Sequence, residues 1–153
     1  MVDLKKLKQL REETGISFSI IKKALEQTDN DIAAAKKKII EWGGEKLAEK
    51  AEKVTSQGAI TSYIHHNKKI ATLVELQSET DFVSGNQEFQ SLAQEIAMQA
   101  ASVPAKTVEE LLKQEYIRDP KKTVQDLIKE AVIKFGENIK LARFTRWELG
   151  QTS

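Results

Sequence analysis

Cysteine is absent from the 153 residues, which removes disulfides, thiolate metal sites and cysteine nucleophiles together. An excess of either charge is absent as well: 24 Lys and Arg stand against 23 Asp and Glu, for a formal net charge of +1. That balance lacks the basic footprint that a phosphate backbone demands, so direct nucleic-acid binding is not expected. No run approaches the ~20 apolar residues needed to span a bilayer, and the basic start is not followed by the apolar stretch of a secretory signal. Neither G-x-x-x-x-G-K-[ST] nor G-x-G-x-x-G occurs, so no phosphate-cradling loop is read and no cofactor is expected. What is there is globular in texture, with 40% hydrophobic and 31% charged residues. The surface should be well solvated and a reducing compartment is the default expectation, while a Met1 start with no Arg/Ser-rich transit segment favours a bacterial-type cytoplasm over an organelle after processing.

Helical spacing dominates the first region. Asp3 can cap a helix carrying Leu4, Leu7 and Leu10, and Gly15 sits where a left-handed C-terminal residue belongs. Ser17 can cap a second helix, with Phe18, Ile21, Ala24 and Leu25 on one face. Asp29-Asn30-Asp31 forms a turn and cap before Ile32, Ala35, Ile39, Ile40 and Trp42, and Gly43-Gly44 reads as the stop. This gives a three-helix bundle over residues 1–44, with 45–55 as a solvent-exposed helical connector, because Glu45 to Lys53 has almost no apolar face.

The period then changes. Residues 59–66 alternate as a β-strand, His66-Asn67-Lys68-Lys69 turns, and Ile70 to Leu76 returns. Phe89, Leu92, Ala93, Ile96, Ala97 and Ala100 mark a helix ended by Pro104. Val108 to Tyr116 suggests a short one closed by Asp119-Pro120. Val124 to Phe135 is amphipathic behind a Thr123 cap, and Ile139 to Arg146 alternates as a last strand. Residues 56–150 thus read as an α+β core of hairpin, helices and final strand: a small antiparallel three-stranded sheet with packed helices. Such a sheet has exposed edges, which favours a partner or a homodimer.

Covalent chemistry is hard to assemble from these residues. His65 and His66 are adjacent at a hairpin tip, so on a strand they face opposite ways and make no shared metal site unless the turn reverses one of them; solvated turn histidines are the expectation. Glu75, Glu79 and Asp81 could pair as carboxylates, but no nucleophile accompanies them. Lys36-Lys37-Lys38 reads as the wet face of the third helix. Phe82 is the unusual residue, an aromatic on a polar loop before Ser84-Gly85-Asn86. Pattern alone favours a plug folded between strand and helix, and the sharper alternative is an exposed wedge for a partner.

Three blocks of this sequence resemble the translation elongation factor Ts family. The first is Leu10-Arg11-Glu12-Glu13-Thr14-Gly15 with Ser17-Phe18 and Lys22-Lys23-Ala24-Leu25. The second, and most specific, is Glu75-Leu76 with Glu79-Thr80-Asp81-Phe82-Val83. The third is Gly136-Glu137-Asn138-Ile139 with Arg143-Phe144 and Glu148-Leu149-Gly150. The resemblance implies a UBA-like N-terminal domain and a guanine-nucleotide exchange factor, not an enzyme, acting on elongation factor Tu in its GDP-bound and nucleotide-free forms. It implies docking through Arg11, Phe18 and Ser19. It also implies a Thr80-Asp81-Phe82-Val83 loop pressed in near the partner's Mg²⁺, with Asp81 and Phe82 acting to displace that ion. Short members pair two chains, which adds to the expectation of a homodimer.

The chain differs from the family pattern at four positions. Lys68 stands where the hairpin usually has glycine, Gln77 where asparagine is usual, Gly85 where a basic or polar residue follows the wedge, and Ile20 where an acid is common. A UBA-like adaptor with a dimerising α+β domain is the competing reading.

Overall fold

The computed structural model describes residues 1–151. It divides into two compact units, Met1–Glu52 with Lys129–Glu137, and Lys53–Ile128 with the chain from Asn138 onward.

In the first unit, α1 (Leu4–Thr14), α2 (Phe18–Gln27) and α3 (Ile32–Glu49) enclose Leu10, Ile16, Ile21, Ala24, Leu25, Ala35 and Ile39, all essentially buried. Local chemistry sets the boundaries. The Asp3 carboxylate accepts the Lys5 and Lys6 amides, and Gly15 ends α1 at φ +68°, a left-handed conformation natural to glycine. Asp31 caps α3 by accepting the Ala34 amide. Ser17 precedes α2 without a capping hydrogen bond; its hydroxyl lies 3.3 Å from that of Ser19.

Gly43-Gly44 does not stop α3, which runs on to Glu49, into the stretch read as connector. Glycine stands at position 43 for a steric reason instead. A Cβ on Gly43 would lie 2.1 Å from the carbonyl oxygen of Lys129, so a second backbone is packed against the helix there. That backbone lies at the middle of α7 (Val124–Phe135), and Ile133 further along the same helix packs on the bundle core. The bundle thus includes a fourth helical segment, from far along the chain.

In the second unit, β1 (Gln57–Ile64), β2 (Ile70–Ser78) and β5 (Lys140–Glu148) form an antiparallel sheet in the order β1-β2-β5. The expected α+β class and three-stranded sheet are present. Helix α5 (Gln87–Ser102) packs against all three strands and buries Phe89, Ala93, Ile96, Ala97 and Ala100. Two elements went unread in the sequence. One is α4 (Asp81–Ser84); the other is a two-stranded ribbon of β3 (Glu115–Tyr116) and β4 (Asp119–Thr123), which follows α6 (Val108–Lys113) where a longer helix was expected. The ribbon is pinned by Gln99, fully buried in α5. Its amide donates to the Glu115 carbonyl and its oxygen accepts the Ile117 amide, each within about 3.1 Å. At the start of α7, Thr123 and Asp126 satisfy each other's backbone amides as a capping box.

The β1–β2 turn accommodates Lys68 in the left-handed region, at φ +63°. The Asn67 side chain accepts the Lys69 amide at 2.9 Å, and the Lys68 amide donates to the His65 carbonyl. β1 ends at Ile64, so the alternation expected to separate His65 from His66 has ceased. Their rings lie 4.1 Å apart, with the Tyr63 hydroxyl 3.1 Å from His65 Nδ1.

Candidate partner-binding site

The candidate residues fall into two groups, Arg11, Phe18 and Ser19 in the first unit and Thr80 to Val83 in the second.

Arg11, in the last turn of α1, is more constrained than an exposed arginine needs to be. One guanidinium nitrogen donates to the carbonyls of Gly15 and Ile16, each at 2.8 Å, and the same group stands 5.4 Å from the centre of the Phe18 ring. It thereby satisfies two carbonyls of the α1–α2 turn and supports Phe18, which remains 52% exposed. Ser19 is exposed one residue further on. Ile20 is half-buried against the bundle core, so an acid there would lose packing. Lys134 belongs to the same unit; burial lowers its pKa, and the charge of Arg11 lowers it further.

The second group is built around a helix too short to persist alone. Thr80 is the N-cap of α4, its hydroxyl accepting the Val83 amide at 3.4 Å, and the Gly85 amide closes the turn on the Asp81 carbonyl at 2.9 Å. Val83 and Ser84 turn inward and are buried. Asp81 and Phe82 face outward, and Phe82 is 88% exposed. The plug between strand and helix is therefore Val83, not Phe82. Successive residues step about 100° around a helical turn, so the half carrying Val83 and Ser84 faces inward and the half carrying Asp81 and Phe82 faces out. Gly85 lies in the ordinary right-handed region, but a Cβ there would come 3.0 Å from the Asp81 carbonyl oxygen, close enough to force an adjustment.

Ahead of α4, Glu79 Oε2 accepts the backbone N–H of Asn138 at 2.5 Å. The Asn138 side-chain amide donates to the Lys53 carbonyl at 3.0 Å. This link joins the second and third sequence blocks.

The sheet face turned away from α5 carries Ile60, Ile64, Leu73 and Trp147, all exposed. Near its middle the Glu75 carboxylate receives the Gln77 side-chain amide at 2.6 Å and the Arg143 guanidinium at 3.0 Å, and the Thr55 hydroxyl donates to Gln77. The Gln77 and Arg143 bonds hold the Glu75 pKa below the usual carboxylate range. Gln77, at the unusual position, thus extends a polar track across the face. Among the described residues no cluster of three or more His, Asp or Glu could hold a metal ion, and no helix is long and apolar enough to cross a membrane.

A family model described as Elongation factor TS matches residues 79–153. Elongation factor Ts of Thermosipho melanesiensis is 35% identical over an alignment covering 99% of this chain and all of the relative. The elongation factors Ts of Clostridium novyi and Halothermothrix orenii are each 40% identical, over 95% and 96% of this chain and 48% and 49% of their own lengths. The chain spans about half the length of these last two relatives. Matched from end to end by the first at this identity, the chain belongs to the elongation factor Ts family of protein-biosynthesis factors.

Proposed function

We propose that the chain binds elongation factor Tu·GDP and promotes GDP release, so that GTP can load. The observation that carries this reading is Phe82, an 88% exposed aromatic beside Asp81 on a capped turn whose next residue, Val83, is buried. A soluble chain exposing so large an apolar side chain on an ordered turn needs a use for it. A GTPase-bound nucleotide relies on Mg²⁺ and on backbone N–H groups around the phosphates. Thr80-Asp81-Phe82-Val83 pressing in beside that site shifts those groups and weakens the nucleotide, while Phe82 gains a buried anchor. Partner and nucleotide then exclude each other by reciprocal coupling, and no covalent bond is made or broken. Arg11, Phe18 and Ser19 provide the second contact, an apolar spot with a fixed cation next to it. The test is release of fluorescent GDP from elongation factor Tu. Saturable acceleration by the chain is expected, and an unchanged rate with measurable binding would favour a plain adaptor.

In this reading two copies associate through the outer sheet face. Ile60, Leu73, Ile64 and Trp147 offer an apolar surface, and the Glu75–Arg143 pair near its middle suits a two-fold partner presenting the same groups. Light scattering at micromolar concentration should give twice the chain mass of 17.2 kDa, and Trp147→Glu should give monomers. Monomeric wild-type protein would contradict the dimer.

A further inference from the structure

The same release activity requires that Phe82 be held in place before the partner arrives, because an aromatic on a loose loop loses binding energy to ordering. Four-residue α4 cannot supply that order itself, since one helical turn does not offset the entropy of forming it. The hold must come from its flanks. On the C-terminal side Val83 and Ser84 are buried, and the Gln90 side chain reaches the Ser84 carbonyl at 3.4 Å. On the N-terminal side the fully buried Ser78 donates its hydroxyl to the Thr80 carbonyl at 2.8 Å, and Glu79 receives the Asn138 amide at 2.5 Å.

Of these ties, the Glu79 bond reaches furthest along the chain, across 59 positions, and its acceptor is charged. Its donor is well fixed. Asn138 is 6% exposed, and its side chain is itself anchored to the Lys53 carbonyl. Glu79 directly precedes the N-cap, so anchoring its side chain fixes where α4 begins and hence which residue turns outward.

We infer that Glu79 is a positioning residue for the Phe82 wedge. Its carboxylate, bound to the Asn138 amide, sets the orientation in which α4 presents Phe82, without touching the partner. This inference rests on the exchange reading above, and two measurements separate them.

The first needs no partner. In the free chain, hydrogen exchange of the Val83, Ser84 and Gly85 amides should speed up about tenfold in Glu79→Ala, the scale of one lost charge-assisted hydrogen bond. The Leu76 and Ile96 amides should keep their rates. The second is GDP release from elongation factor Tu against factor concentration. Glu79→Ala should lower the maximal rate about tenfold and leave the half-saturating concentration within about twofold. Glu79→Gln, which keeps an acceptor oxygen, should recover most of the rate. Unchanged exchange at the α4 amides overturns the inference, and so does equal acceleration in the core, which would mark a general structural role. A normal release rate in Glu79→Ala also overturns it. If wild-type chain fails to accelerate release, the exchange reading falls, and the amide measurement alone decides whether Glu79 orders the loop.

Discussion

Adjacent glycines in α3 should respond to the same substitution with opposite signs. In a helix interior, replacing glycine by alanine ordinarily gains about 1 kcal/mol. At Gly44 the new Cβ would meet the Lys129 side chain at 3.4–3.5 Å, a contact that a flexible chain accommodates, so Gly44→Ala should realise that gain. At Gly43 the new Cβ would stand 2.1 Å from the Lys129 carbonyl oxygen and 2.6 Å from its carbon. Those are backbone atoms, so α3 and the middle of α7 must separate by roughly an ångström. Overpacking of this kind costs about 3 kcal/mol at the upper end of its range, which outweighs the helix gain and leaves a net loss of about 2 kcal/mol. Urea unfolding followed by Trp42 fluorescence in a Trp147→Phe background reads the bundle selectively. With an m-value of about 1.5 kcal/mol per molar, the midpoint should fall by about 1.3 M in Gly43→Ala and rise by about 0.7 M in Gly44→Ala. Shifts of the same sign would refute the close approach of α7 to α3.

Lys68→Gly should stabilise the hairpin by about 0.5–1 kcal/mol in thermal unfolding, because relief of a left-handed lysine exceeds the entropy that glycine adds. Tyr116, buried and donating to Glu95 at 2.7 Å, has its pKa raised mainly by burial and further by that carboxylate. The fold therefore favours the protonated phenol. Its contribution is full below the ordinary value of 10.0 and is lost as pH rises above it. Alkaline unfolding should steepen there, and Tyr116→Phe should flatten the curve. Arg11→Ala removes two hydrogen bonds from the α1–α2 turn and the support under Phe18. Calorimetric titration should show affinity for elongation factor Tu weakened about tenfold, with a smaller change in bundle stability; equal affinity would remove Arg11 from the docking surface.

Helical periodicity and caps made α1, α2 and the start of α3 legible, as period-two alternation did for β1, β2 and β5. Gly43-Gly44 misled because glycine as a helix stop and glycine as a helix-packing notch look alike until the partner backbone is known. That partner, the backbone at Lys129 in the middle of α7, lies more than 80 positions away. The β3–β4 ribbon was hidden for a related reason. It depends on Gln99, a polar residue on the buried face of α5, whose hydrogen-bond partners cannot be read from spacing. At the candidate site, the motif residues were legible by resemblance, but pattern alone favoured Phe82 as the plug. Phe82 and Val83 are adjacent apolar residues, and only the point at which the four-residue helix begins decides which turns inward. The Glu79–Asn138 link was unreadable because its donor is a backbone amide, which leaves no mark in side-chain sequence.

The central claim is that Phe82 drives nucleotide release, and stopped-flow release of fluorescent GDP from elongation factor Tu tests it directly with wild-type chain and Phe82→Ala side by side. Because Phe82 is 88% exposed, the variant should unfold at the wild-type midpoint and still associate through the Arg11–Phe18 surface. Its maximal release rate should fall by about tenfold or more. A Phe82→Ala chain that folds normally and releases GDP as fast as wild type would contradict the account.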